Sequence, residues 1–358
     1  MSTPTPKLSV LRQLLTRGPR LFIALGAIYV RSSTESAKVT NQLRETLDGS
    51  PPCTAFVRWG YGNRGKTANS VNRAILISGV GRFGNSVIQI LNSFAIAQSL
   101  KAQTVFYHQF RSLPDRPVKI AREIYLRRIR MRPNPMEKPP GTLYVTDAIR
   151  GPNPMIDPQS AIATEIAKNL GPLLIGKEST TQGDSSLLTI HLRSGDIFWP
   201  GPHRSYGQPP VAFYQRVLEN RPWSSVDLIS EDSTNPCHQL IQSWCRDNSI
   251  PIRILGSTFA ESVNSLASAS NLCLSLGTFV PAVVFLSDRK NSVFTFGPIF
   301  SPLLAGKSHH HVKVLDAQGT YTQEILSDNW ANTQGQRELM VNYPMSALTL
   351  EEIPYAAQ

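Results

Sequence analysis

The sequence is short of acids, of paired cysteines and of long apolar runs, and each shortage narrows what the chain can be. Only 25 Asp and Glu stand against 36 Lys and Arg in 358 residues, a formal net charge of +11. That balance favours acidic partners: nucleic acid, an anionic membrane surface or phosphorylated substrates. No helix-turn-helix, zinc-finger or RNA-binding signature is present, so nucleic acid is the weakest of the three and is not expected as a partner. The four cysteines, Cys53, Cys237, Cys245 and Cys273, show no CxxC spacing. They read as reduced, buried thiols, which fits a cytosolic face better than a secreted one. A content of 41% hydrophobic residues still supports a real core and excludes a disordered chain.

The N-terminal apolar run, Leu21 to Val30, holds ten residues, about half of the roughly twenty that a bilayer span needs. No small-x-small cleavage site follows it, which argues against a cleaved signal peptide. Lys7, Arg12, Arg17, Arg20 and Arg31 surround the run, and no acid precedes Glu35. With Val10, Leu11, Leu14 and Leu15, residues 7–31 are suited to peripheral contact with an anionic membrane, or to a locally packed helix. The expected location is cytoplasmic, at most peripheral at the membrane, with a Golgi-type anchor as the alternative.

Beyond a basic arm and linker (residues 1–70), the pattern predicts a β-α-β unit. Its parts are a strand over Arg73–Val80, a glycine turn at 79–84, a helix with Val87, Ile88, Leu91, Phe94, Ala95 and Leu100 on one face, and a strand at Thr104–Tyr107. Residues 111–185 are proline-rich and basic, and read as loops, variable helices and a crossover. From Leu187 strand and helix alternate regularly up to Phe296. The helices expected there are Val211–Glu219, Cys237–Asp247, Thr258–Ala269 and Thr278–Leu286. An α/β fold with two Rossmann-like domains facing a cleft is the expectation, residues 71–185 and 186–358, the second with a C-terminal tail. No internal repeat is present. His309-His310-His311 reads as a solvated loop rather than a metal site, since adjacent strand positions point to opposite faces.

Three stretches compete as phosphate sites. Gly60 to Thr67 matches GxxxxGK[ST], with Lys66 and Thr67 in the phosphate and magnesium positions, but only Ala68 to Arg73 are left for the helix that must follow. Gly79-Val80-Gly81-Arg82-Phe83-Gly84 matches GxGxxG in a strand-turn-helix context, which would suit a nicotinamide or flavin dinucleotide. No carboxylate ends the next strand to hold the ribose. The third is Ile190-His191-Leu192-Arg193-Ser194-Gly195-Asp196-Ile197-Phe198, an apolar strand stopping at a polar turn. It puts an imidazole, a guanidinium and a carboxylate at the carboxyl edge of a sheet, where α/β proteins bind ligands. A planar guanidinium suits a diphosphate better than an ammonium does. The plainer reading pairs Arg193 with Asp196 across the turn.

The blocks Gly81-Arg82-Phe83-Gly84-Asn85, His191 to Phe198 and Leu274-Ser275-Leu276-Gly277-Thr278-Phe279 occur in an order that resembles the GDP-fucose-dependent fucosyltransferases. The likeness is nearest to the α-1,2 group, with the protein O-fucosyltransferases and α-1,6 enzymes related, and it covers roughly residues 75–300. The chain departs from that pattern at Ser86, Ser194, Ile197-Phe198, Leu276-Gly277 and Val280-Pro281, which bears on the acceptor more than the donor. The resemblance implies an inverting, metal-independent transfer of fucose from GDP-fucose to a glycan hydroxyl, with α-1,2 linkage to galactose and no cofactor. It implies catalytic roles for Arg193, Asp196 and Asn85. It implies donor contacts from Gly81, Arg82, Gly84, Asn85, His191, Arg193, Glu231, Asp232, Ser275, Thr278 and Phe279. For several of these a structural role competes: an N-cap for Asn85 and Thr278, a backbone-satisfied strand end for His191, a solvated turn for Glu231 and Asp232. An oxidoreductase using residues 79–84 and a non-catalytic carbohydrate- or nucleotide-binding protein remain the alternatives.

Overall fold

The computed structural model describes residues 57–59, 74–77, 82–99, 102–107, 113, 116–128, 142–145, 154, 156–176, 184–256, 258–287, 291–297, 301–305 and 308–353. The basic arm at 7–31, Cys53, the Gly60–Thr67 motif, and Gly79 and Gly81 of the glycine turn lie outside them. The chain is a mixed α/β protein of two compact units, residues 1–170 and 171–358.

The first unit carries a six-stranded sheet of β1 (Val57–Trp59), β2 (Ala74–Ile77), β3 (Thr104–Tyr107), β4 (Val118–Ala121), β5 (Ile124–Arg128) and β6 (Thr142–Val145). Its order is β1-β6-β2-β3-β5-β4, with β6, β2, β3 and β5 parallel and the two outer strands antiparallel. Helix α1 (Phe83–Ser99) links β2 to β3 and buries Val87, Ile88, Leu91 and Phe94, the face its apolar spacing predicted. A second helix, α2 (Ala161–Leu174), is tied to β4 and its turn. Asn169 Nδ2 donates to the Ile120 carbonyl at 2.7 Å and the Arg122 amide to Glu165 at 3.0 Å. These strands correct the expectation of loops and helices over 111–185. β4 and β5 are short and basic, and only Ile120, Ala121, Ile124 and Leu126 go inward, too few to register as a period.

The second unit follows the predicted alternation closely. Strands β7 (Leu187–Leu192), β8 (Ser225–Ser230), β9 (Ile252–Leu255), β10 (Asn271–Leu274), β11 (Asn291–Phe296), β12 (Ser308–Asp316) and β13 (Leu348–Ile353) form one sheet. Helices α3 (Val211–Glu219), α4 (Cys237–Asp247), α5 (Phe259–Ser268) and α6 (Phe279–Leu286) connect its first strands, and α7 (Gln334–Asn342) precedes β13. All strands but β13 are parallel, in the order β13-β12-β11-β10-β7-β8-β9. Counted from β7, the parallel strands therefore run 3-2-1-4-5-6. The chain winds outward one way through β8 and β9, then the other way from β10. Right-handed crossovers accordingly place α3 and α4 on one face and α5 and α6 on the other, and each of these two pairs is in contact. The reversal point lies between β7 and β10, and in open α/β sheets ligands bind outside the carboxyl ends of the strands at such a point.

Aromatic packing holds the segment after β7 in place. Phe213, Phe296, Tyr321 and Trp330 are fully buried, with Phe213 on Phe296 at 5.5 Å and Phe296 edge-on to Tyr321 at 5.7 Å. Trp330 Nε1 donates to the Ile197 carbonyl at 2.9 Å, so residues near the C-terminus pin the 3₁₀ turn Gly195–Phe198. His309, His310 and His311 stand on β12, which corrects the loop expected there. His311 is buried with its Nε2 2.9 Å from Thr295 Oγ1, while His310 lies 3.7 Å from Glu352 on the other face. Cys237, Cys245 and Cys273 are free and buried, and burial pushes the Cys245 thiol up to about 11. Among the described residues no helix is long and apolar enough to cross a membrane.

Candidate functional site

Three loops meet at the reversal point, following β7, β8 and β10. The first begins at Arg193, half-buried, whose guanidinium carbon lies 4.3 Å over the centroid of the Tyr206 ring. Among the described residues no carboxylate pairs with Arg193, so the Arg193–Asp196 pair read from the turn does not form. A guanidinium over an aromatic face can still use its N–H groups for another partner. Gly277, with φ +145°, is a second close neighbour, since a Cβ there would come within 2.9 Å of Arg193 Nη1. Arg193 thus has an aromatic ring and a bare backbone beside it.

The loop after β7 is fastened to the loop after β8 by a polar network. Ser194, fully buried, donates its Oγ–H to Asp232 Oδ1, lies 2.9 Å from Thr234 Oγ1 and accepts the Asn235 amide at 3.1 Å. Asn235 Nδ2 donates to the Arg193 carbonyl at 2.8 Å. Asp232 Oδ1 also accepts the Thr234 amide at 2.9 Å and the Thr234 hydroxyl at 2.6 Å. Gly195 has φ +71°, and a Cβ there would meet Glu231 Oε2 at 2.6 Å. Asp232 is therefore exposed yet anchored through Oδ1. One of its oxygens is committed to holding the Arg193 loop, while Glu231 lies along that loop's backbone.

This network carries a pH signature. Burial raises the Asp232 carboxyl, but hydrogen bonds from Ser194, Thr234 and Gly195 outweigh it and hold the group below the usual carboxylate value. A depressed carboxylate stabilises the fold above its ordinary pKa, and that contribution is lost as pH falls through the folded value. Asp232→Asn should therefore lower the melting temperature at neutral pH and show a smaller drop than the parent on acidification below about pH 4. Melting curves from pH 3 to 7 check this, and the effect is modest because the carboxylate is exposed.

At the end of β10, Ser275 is bonded both ways to β7: its amide donates to the His191 carbonyl at 3.1 Å and its Oγ lies 2.6 Å from His191 Nδ1. Burial, with the Arg193 charge adding, pushes the His191 imidazole down to about 3. It is neutral at physiological pH, and it holds Ser275 rather than Arg193. Its ring tilts against Phe279 at 5.6 Å, and Phe279 against Phe259 at 5.9 Å. Phe259, 57% exposed, ends this aromatic row with an open face. Thr278 precedes α6 but makes no capping bond with its side chain, so the N-cap reading of that hydroxyl fails. The first turn of α6 brings amide groups toward the same loops. Asp196 sits in the buried 3₁₀ turn, and His203, exposed, stacks on Tyr206 at 5.1 Å.

In the first unit the helix starts at Phe83, so Gly84 and Asn85 lie in its first turn rather than in the loop before it. Asn85 is half-buried and is not the N-cap, and Arg82 just ahead of it is exposed. Ser86 is buried and bonded to the Tyr107 phenol. Among the described residues no cluster of three or more His, Cys, Asp or Glu is placed to hold a metal ion.

Four contributors escaped the sequence reading: Tyr206, Gln208, Gly277 and the Thr234–Asn235 pair. Tyr206 and Gln208 lie in the proline-rich loop before α3, and only their spacing to Pro209-Pro210 hinted at a fixed conformation there. In comparisons with known proteins, no family model, curated protein or solved structure matched the chain.

Proposed function

We propose that the second unit is a Rossmann-like nucleotide-sugar site and that the chain transfers a sugar from a nucleoside diphosphate, most simply fucose from GDP-fucose, to a glycan hydroxyl. The observation that carries this reading is Arg193, a guanidinium with no carboxylate partner among the described residues, set beside Tyr206 and Gly277 where the strand order reverses. Glycosyl transfer passes through an oxocarbenium-like state while the departing diphosphate gathers negative charge. A fixed guanidinium and the amides of a helix start answer that charge directly. In this reading the acceptor oxygen forms its bond to the anomeric carbon as the bond to the diphosphate oxygen breaks, with inversion. The acceptor proton passes to one of Asp196, Glu231 or His203. The row from His191 through Phe279 to Phe259 offers aromatic surface for a base or sugar ring, with Phe259 the most exposed of the three.

The motif resemblance, in the order 81–85, 191–198 and 274–279, supplies the choice of GDP-fucose, of a two-domain arrangement of the GT-B type and of an α-1,2 linkage to galactose. Arg82 and Asn85 would then serve as donor contacts. The net charge of +11 suits an anionic donor and a lipid-linked or phosphorylated acceptor, with residues 7–31 as the segment to meet a membrane.

Calorimetry with GDP, NAD and ATP, each with and without EDTA, tests the reading. GDP should bind equally well in EDTA, and NAD should not bind. Tight NAD binding without GDP binding overturns it in favour of a dehydrogenase. GDP binding without hydrolysis of GDP-fucose or transfer to a galactose-terminated acceptor above an Arg193→Ala control would leave a binding protein.

A further inference from the structure

Gln208 is fully buried, yet its side chain is polar at both ends and none of its partners is a side chain. Its Oε1 accepts the Leu276 amide at 3.1 Å. Its Nε2 donates toward the carbonyls of Gly207 at 3.0 Å, Tyr206 at 3.1 Å and Leu276 at 3.3 Å. The amide orientation is forced, because an N–H needs an acceptor and three carbonyls need a donor. The Gln208 carbonyl accepts the buried Tyr321 hydroxyl at 2.6 Å, so the backbone beneath the amide is also fixed.

What Gln208 joins gives it meaning. One partner segment carries Tyr206, the ring on which Arg193 lies; the other carries Leu276, next to Gly277, whose backbone also borders the guanidinium. Residues 206 and 276 are far apart in sequence and lie in loops before α3 and after β10. The Gln208 amide ties these two walls directly. We infer that Gln208 is a positioning residue that sets the spacing of the Tyr206 and Gly277 walls and thereby the pose of Arg193 toward an anionic ligand. It touches no ligand itself. The inference rests on Arg193 as the anion contact, and a buried amide is the one side chain of this size that can accept from one loop while donating to both.

Gln208→Met keeps volume and loses both hydrogen-bonding ends; Gln208→Glu keeps shape but, when ionised, sets a carboxylate against three carbonyl oxygens. The first readout needs no ligand: the rate at which phenylglyoxal modifies Arg193 in the full chain, followed by peptide mass spectrometry. Both variants should react several-fold faster at Arg193, with other arginines unchanged. The second is GDP affinity by calorimetry in the parent, Gln208→Met, Arg193→Ala and the double variant. Gln208→Met should weaken GDP by about tenfold when Arg193 is present and by little when it is absent. A purely structural glutamine would cost the same affinity in both backgrounds and leave Arg193 reactivity unchanged, and that result overturns the inference. So does failure of both variants to fold, which would make Gln208 a folding residue. If the parent binds no GDP, the nucleotide reading fails while the phenylglyoxal rates still decide the positioning role.

Discussion

Arg193→Ala is expected to lower sugar transfer by about 10²- to 10³-fold with the fold intact, the loss typical of removing one preorganised group that meets developing charge. Arg193→Lys should be nearly as damaging. A lysine keeps the charge but gives up the planar fork that lies 4.3 Å over the Tyr206 ring. Little stability should be lost in either variant, because among the described residues no carboxylate depends on Arg193 for neutralisation. The contrast is with Arg253, whose Nε and Nη2 each lie 2.7 Å from the buried Asp227 carboxylate. Its removal would strand a charge inside the sheet. The checks are kcat/KM with GDP-fucose, GDP affinity and a melting curve for each variant. A lysine variant retaining most of its transfer would remove Arg193 from the role of diphosphate contact, whatever the alanine variant does.

The second unit was readable because its strands are long apolar runs cut by turn residues, and its helices are amphipathic at ordinary spacing. Leu187–Leu192 and Cys237–Asp247 fall where the pattern put them. In the first unit β4 and β5 were not readable, since each buries only two residues over four or five positions and together they carry Lys119, Arg127 and Arg128. Short runs of that kind cannot be told from loop by period. At the site, Arg193 was visible because a strand end followed by a turn is a local signal. Its setting was not. Gly277 becomes a neighbour of Arg193, and Leu276 of Gln208, only through the sheet order, which puts β10 beside β7 although β8 and β9 intervene in sequence. The parallel pairing of β7 with β8 likewise brings Asp232 to Ser194, a contact that its place beside Glu231 did not signal. His311 was mistaken for loop because a histidine triplet looks polar, while on β12 one member turns inward to Thr295.

Gly277→Ala should abolish most diphosphate affinity, and for two separable reasons. The first is conformational: φ of +145° lies in the region that L side chains rarely adopt, so alanine either strains the loop by about 1–3 kcal/mol or moves it. The second is steric and specific to this site. A Cβ would stand 2.9 Å from Arg193 Nη1, and the neighbour able to give way is the flexible end of the arginine itself. The fold therefore survives by displacing the guanidinium from Tyr206, and the cost falls on the ligand. Melting temperature should drop by a few degrees at most, consistent with ~1–2 kcal/mol in a chain of this size. GDP affinity should fall as far as it does in Arg193→Ala, and combining the two changes should add almost nothing. Gly195→Ala is the control. At φ +71° it bears comparable backbone strain, but its Cβ would meet the Glu231 carboxylate rather than Arg193, so it should lower stability with a smaller loss of GDP affinity. Equal loss of affinity in both glycine variants would mean that loop strain, not the guanidinium's position, governs binding, and Gly277 would lose its place as a wall of the site.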